Sequence, residues 1–188
     1  MQERQEPMSA IVVMGVAGCG KSSVATALAA RLDGGRLIEG DAFHPAANVA
    51  KMRAGTPLDD ADRAGWLARL ADELRDVRAA GGYPVLACSA LKRRYRDRLR
   101  EAVPALGFVF LELTRAVAAE RVASRGDHFM PASLVDNQFA TLEPPAGEPL
   151  TLALDGTRPV ADLVEAAVAW RRRHGAHEMH AGQPEHTI

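Results

Sequence analysis

Apolar positions along this chain follow two alternating rhythms. Short continuous runs, AIVVM at residues 10–14 being the clearest, are bounded by glycines and polar residues. Such runs predict strands buried on both faces, here over residues 10–14, 36–39, 84–88, 108–113 and 150–154. Between them lie longer stretches with helical spacing. Trp66, Leu70, Leu74 and Val77 recur at intervals of 4, 4 and 3 and predict a helix over residues 60–80. Helices are likewise expected over 21–32, 46–53 and 91–102, from the fourth strand through residue 125, and over 132–142 and 160–173. Strands alternating with helices in this way imply an α/β fold of three layers, a five-stranded parallel sheet with helices on both faces. No internal repeat or low-complexity block interrupts it.

The ends break the rhythm. Residues 1–8 are polar, and residues 174–188 carry four of the six histidines with almost nothing to bury. One domain over residues 9–173 with two polar tails is therefore expected. His174, His177 and His180 fall every third residue, a spacing that suggests a metal site. A terminal tail, however, supplies no surrounding groups to orient the rings, so a solvated tail is the expectation.

At 188 residues the chain corresponds to roughly one domain of about 150 residues. Its 47% apolar and 25% charged content is that of a globular protein. Lys and Arg total 23 against 24 Asp and Glu, a net charge of −1. That balance gives no global attraction to nucleic acid or an anionic membrane, so any anion must be gripped by a local site. Cys19 and Cys88 form neither a disulfide framework nor a metal-ligand spacing, which fits a reducing compartment. The first nine residues lack the apolar segment of a secretory signal, and no apolar run approaches the ~20 residues that span a bilayer. A cytoplasmic protein is expected.

The strongest chemical signal is Gly15-Val16-Ala17-Gly18-Cys19-Gly20-Lys21-Ser22, a complete GxxxxGK[ST] between a strand and a helix. The glycines let the backbone turn its N–H groups onto a phosphate, and the following helix adds the positive end of its dipole. Lys21 is placed to reach the β- and γ-phosphates of ATP, and the Ser22 hydroxyl to ligate Mg²⁺. Cys19 lies within this cradle, either as a thiol activated by the helix N-terminus or as a small space-filler.

Guanine-nucleotide switches need an Asn-Lys-x-Asp base reader, which the chain lacks. Asp62-Arg63-Ala64-Gly65 imitates their DxxG but falls within a predicted helix. The remaining segments resemble the gluconokinases, small P-loop kinases of the thermoresistant type. Beside GVAGCGKS (15–22), the resemblance is carried by EGDAFHP (39–45), NVAKMRAGTPLDDADRAGWL (48–67), CSALKRRYRDRLR (88–100), RVASRGDHFMPASLVDNQFATLEPP (121–145) and the strand end at Asp155. It spans about residues 11–172, and GD-x-x-HP together with CSALK-x-x-YRD-x-LR is far more specific than the phosphate loop alone. Cys19 departs from the serine frequent in the family.

The resemblance implies ATP-dependent phosphorylation of D-gluconate at its 6-hydroxyl, with a helical substrate insert and a lid at about residues 121–131. It gives Asp41 the role of base toward that hydroxyl, against holding a Mg²⁺-bound water or capping a turn, and His44 a place near the substrate hydroxyls. The gluconate carboxylate needs a cation, and Lys51, Arg53, Lys92 and Arg96 are the candidates from the matched segments. Lys92 and Arg96, four apart, are expected on one helical face. Arg121 and Arg125 are expected on one helix, closing over the transferring phosphate with His128 just beyond. Asp59 or Asp60 is expected to cap the Trp66 helix; Asp62 and Arg63 receive no chemical role. The implied partners are gluconate and ATP, with a homodimer frequent among similar enzymes. The rivals are a kinase of shikimate, adenylyl sulfate or a nucleoside monophosphate, and a nucleotide sensor without turnover.

Overall fold

The structure is a computed structural model that describes residues 7–124 and 132–175. Five strands form the middle layer: β1 (Ala10–Met14), β2 (Gly35–Glu39), β3 (Tyr83–Ala87), β4 (Leu106–Glu112) and β5 (Thr151–Asp155). They pair in the order β2-β3-β1-β4-β5, all parallel, with Val12 opposite Leu86 on one side and Phe108 on the other. The helices are α1 (Lys21–Arg31), α2 (Ala46–Arg53), α3 (Asp60–Ala79), α4 (Arg93–Ala102), α5 (Arg115–Ala123), α6 (Ala132–Thr141) and α7 (Val160–Gly175).

Side chains alternate across the sheet and build one core on each face. Ile11, Val13, Val85, Val109 and Leu111 pack with Val24 and Leu28 of α1 and Leu163, Val164 and Trp170 of α7. Val12, Met14, Leu86, Phe108 and Phe110 pack on the other face with Trp66, Leu70 and Leu74 of α3 and Tyr95 and Leu99 of α4. The α/β class and the five-stranded sheet expected from the pattern are thus observed. Because the chain leaves β1 for the edge strand β2, returns through β3 and only then crosses to β4, the sheet has its switch point at β1. Ligand crevices of open α/β sheets lie at the carboxyl ends of strands at such a point.

Most elements begin or end one or two residues from the sequence expectation. Met8 belongs to the core rather than to a polar tail: it is 4% exposed, its N–H donates to the His174 carbonyl, and its own carbonyl accepts from the Tyr83 hydroxyl. At the other end α7 continues through Gly175, with the His174 ring set edge-on to Trp170. A 3₁₀ turn, Gly40–Phe43, follows β2 and carries Asp41. His177 and His180 lie outside the described residues. Among the described residues no helix is long and apolar enough to cross a membrane.

Candidate active site

The loop between β1 and α1 folds as its residue types require. Gly15 has φ 145°, and a Cβ there would stand 2.8 Å from both the Leu111 carbonyl oxygen and Cys19 Sγ. Gly20 caps α1 in the left-handed region with no side-chain acceptor over the first amides, which leaves that helix end open to an anion. Lys21 Nζ donates to the Val16 carbonyl at 3.0 Å and arches back across the loop. The Ala17 N–H donates to Gln138 Oε1 at 2.6 Å, from α6. Cys19 is 1% exposed, its sulfur against Gly15; the geometry is that of a space-filler.

The loop separates two hollows. The first, about 200 Å³, is lined on the loop side by Ala17, Lys21 and Ser22 and on the far side by Asp41, His44, Arg63, Trp66 and Ser89. Leu134, Asn137 and Gln138, one face of α6, close its third side. The second hollow, about 270 Å³, lies against Cys19 and Val24 and is rimmed by Arg121, Gly156, Arg158 and Val160.

Asp41 is presented by the 3₁₀ turn after β2 and is 75% exposed at the first hollow. Two contacts hold that turn. Gly40 sits so close to β3 that a Cβ would meet the Ala87 carbonyl oxygen at 2.4 Å, and the indole N–H of Trp66 donates to the Gly40 carbonyl at 2.8 Å. The His44 side chain is 5% exposed and stacks on Trp66 with ring centroids 4.1 Å apart. Burial pushes the His44 imidazole below its usual range; Asp41 pulls the other way and Arg63 adds to the drop. The Asn48 side-chain amide donates to the Asp62 carbonyl at 2.9 Å and faces His44 Nδ1 at 3.4 Å. A donor there makes Nδ1 the acceptor, so the neutral ring carries its proton on Nε2, 4.0 Å from Asp41 Oδ1.

The four candidate cations for the substrate carboxylate fare differently. Arg96 does not reach the hollow. It is fully buried, and its guanidinium donates to the carbonyls of Ala90, Leu91 and Glu143 and to both carboxylate oxygens of Glu148. Nor do Lys92 and Arg96 share a helical face, because α4 begins at Arg93 and Lys92 is an extended residue before it. Lys92 instead pairs with Asp60 at 3.0 Å, beside Arg94 and Tyr95. The Tyr95 hydroxyl, then Lys92, hold the Asp60 carboxyl down at about 2. Lys51 pairs with Asp62 at 2.6 Å, and Arg53 is exposed at the end of α2; neither lines the hollow.

Arg63, assigned no role from its spacing, does line it. Asp59 caps α3 through a reciprocal pair with Asp62, and this sets the first turn of α3 so that Arg63 faces the hollow. Its Nη1 donates to the Leu58 and Asp59 carbonyls, and among the described residues no hydrogen bond uses its other nitrogens. The signal was present in the DDADRAGW segment, but nothing in its spacing told a cap from a cation.

Arg121 donates to the carbonyls of Gly18 and Gly156, at 3.3 and 3.0 Å, and rims the second hollow rather than the first. It ties the phosphate loop to the loop after β5. Arg158 joins it there. Helix α5, which carries Arg121, ends at Ala123. Arg125 and His128 lie outside the described residues.

A family model described as "AAA domain" matches residues 11–145. The gluconokinase of Gluconobacter oxydans is 50% identical over 148 residues, which cover 79% of this chain and 83% of that protein. The thermoresistant gluconokinase of Escherichia coli is 39% identical over 158 residues, covering 84% and 90%. Among solved structures, a gluconokinase from Sinorhizobium meliloti superposes with a TM-score of 0.80 at 48% identity, over 92% of this chain and 95% of that one.

Proposed function

Because the chain belongs to the gluconokinase family of P-loop kinases, we propose that it transfers the γ-phosphoryl group of ATP to the 6-hydroxyl of D-gluconate, giving 6-phospho-D-gluconate and ADP. The observation that carries this reading is the first hollow, where phosphate-loop residues face an acid, a neutral imidazole and a guanidinium. ATP lies along the loop with its base toward the second hollow and its terminal phosphate toward the first. The acceptor oxygen attacks Pγ; the new O–P bond forms as the bond from Pγ to the β,γ-bridging oxygen breaks, and ADP leaves with that electron pair. The hydroxyl proton passes to the Asp41 carboxylate. Catalysis then rests on positioning and on charge stabilisation, with Lys21 at the phosphates.

Mg²⁺ suits the donors present. Ser22 offers a hard oxygen ligand at the first hollow, and among the described residues no cluster of three His, Cys, Asp or Glu forms a closed cage. Magnesium in phosphoryl-transfer sites is held in that manner, by one or two protein oxygens together with phosphates and waters. Ser22 would ligate it; when bound it offsets charge on the phosphates.

Arg63 is the partner we assign to the gluconate carboxylate, since Lys21, the other cation lining the first hollow among the described residues, belongs to the phosphate loop. Charged hydrogen bonds are worth about 1.5–3 kcal/mol, so Arg63→Ala should raise KM for gluconate by roughly 10- to 100-fold. KM for ATP should stay within about twofold. An unchanged gluconate KM would remove Arg63 from the substrate site.

The activity itself is tested by ADP release with Mg-ATP and gluconate against a no-acceptor control, with shikimate and AMP as comparison acceptors. Gluconate-dependent release is expected. Release with another acceptor alone would refute the substrate, and nucleotide binding without release on any acceptor would leave a sensor.

A further inference from the structure

One donor of the phosphate loop is already engaged by the protein itself. The Ala17 N–H donates to the side chain of Gln138, 121 positions along the chain, at 2.6 Å. Since an N–H must meet an acceptor, the atom facing it is the amide oxygen, which fixes the orientation of the Gln138 side chain. A carbonyl oxygen in that position has the reach and the acceptor chemistry of a phosphate oxygen.

Which phosphate would want this N–H follows from the two hollows. Cys19 and Val24 line the hollow shared with Arg121 and Arg158, whereas Ala17 lines the one shared with Asp41, His44 and Arg63. The Ala17 amide therefore looks toward the acceptor. A nucleotide lying across the loop presents its terminal phosphate there and its inner phosphate to the amides at the start of α1. ADP, one phosphate shorter, has no oxygen to offer Ala17.

We propose that Gln138 is the residue by which the site reads the γ-phosphate: its side-chain carbonyl stands in for a γ-phosphate oxygen on the Ala17 N–H, and ATP, but not ADP, must displace it to bind. The idea rests on the kinase reading above. It makes Gln138 a specificity-determining residue. After phosphoryl transfer the Ala17 N–H is vacated, and the return of Gln138 to it competes with rebinding of ATP but leaves ADP unaffected.

Two substitutions move the competition in opposite directions. Gln138→Leu keeps the bulk of the side chain and removes the acceptor, so a nucleotide reaching Ala17 no longer exchanges one hydrogen bond for another. Such an exchange is worth about 0.5–1.5 kcal/mol, or roughly two- to tenfold in affinity. Gln138→Glu puts a charged acceptor on the same N–H and a negative charge beside the incoming phosphate.

The experiment is calorimetric titration of the wild type and both variants with Mg²⁺ and either ADP or a non-hydrolysable β,γ-imido analogue of ATP. The readout is the ratio of the two dissociation constants within each variant. A reduced fraction of folded protein changes stoichiometry and leaves that ratio intact. Gln138→Leu should tighten the analogue two- to tenfold relative to ADP, and Gln138→Glu should weaken it by about tenfold or more, with ADP within about twofold throughout. Parallel shifts of both nucleotides would show that Gln138 merely packs the cleft and would overturn the proposal; so would an unmoved ratio in both variants. A wild type that binds neither nucleotide would instead refute the kinase reading itself.

Discussion

Replacing Asp41 by Asn should lower kcat by roughly 10²-fold or more while leaving KM for ATP near its wild-type value. Asn keeps the size of the side chain and its hydrogen-bonding outline but cannot take up the proton of an attacking hydroxyl. The surrounding geometry favours such a clean separation. The turn that carries Asp41 is held by the Trp66 indole on the Gly40 carbonyl and by the fit of Gly40 against Ala87, and neither contact involves the carboxylate. Asp41 itself is 75% exposed, so neutralising it leaves no buried partner behind and folding stability should be unchanged. His44, whose Nε2 lies 4.0 Å from the Asp41 carboxylate, is kept neutral chiefly by burial and is therefore no substitute donor of positive charge. Steady-state kinetics with gluconate varied at saturating Mg-ATP measure the effect. A kcat near wild type would reduce Asp41 to holding water or turning the chain; a rise in KM for ATP with kcat preserved would make it a metal-side residue.

Features carried by contiguous residues were readable from the sequence, and those assembled from distant segments were not. The phosphate loop is eight consecutive residues whose glycines, lysine and serine each have a local reason. The strands needed only continuous apolar runs, because a parallel sheet covered on both faces buries every position. Asp41 was legible as an acid at a strand end. Arg63 was not, since its direction depends on a capping pair between Asp59 and Asp62 and on how α3 lies under the cleft. Gln138 was beyond reach for the same reason, its partner being 121 residues away. The start of α4 shows the mechanism of such a miss. Spacing alone placed Lys92 and Arg96 on one helical face, but Ala90 has φ 44°, Lys92 is extended, and Glu143 supplies the acceptor for the Arg93 N–H at 2.7 Å from 50 residues downstream. A helix whose first turn is satisfied by a remote carboxylate carries no capping signal in its own sequence. Met8 is the same lesson at the edge of the domain: one apolar residue in a polar stretch finds its place only because Gly107 leaves room for it beside Trp170.

The second large effect is on stability. Arg96→Leu should cost about 3–5 kcal/mol, the usual penalty for removing one partner of a buried ion pair. For a chain of this length that corresponds to a fall in Tm of roughly 6–20 °C. The substitution strips donors from the buried carbonyls of Ala90 and Leu91, from the Glu143 carbonyl and from both carboxylate oxygens of Glu148, and Arg100 can answer only for one of those oxygens. The strained turn at Ala90 and the segment around Glu143 are joined through this guanidinium as well as by the Glu143 N–H on the Leu91 carbonyl, so both should loosen together. Glu148 adds a dependence on pH. Burial alone would raise its pKa, but the hydrogen bonds from Arg96 and Arg100 outweigh burial and hold it below the ordinary carboxylate range. A group whose folded pKa is depressed contributes stability that is complete above its unfolded pKa of about 4.3 and is lost as pH falls through the folded value. The wild type should therefore lose part of its Tm advantage over Arg96→Leu below about pH 4. Thermal unfolding of both proteins between pH 3 and 7 reads this directly. Kinetics on the folded variant separate the structural role from the one its spacing suggested: a cation that gripped the substrate carboxylate would, when removed, raise KM for gluconate and leave Tm alone. The buried position of Arg96 requires the opposite, a large fall in Tm with the gluconate KM of the folded protein changed far less than in Arg63→Ala.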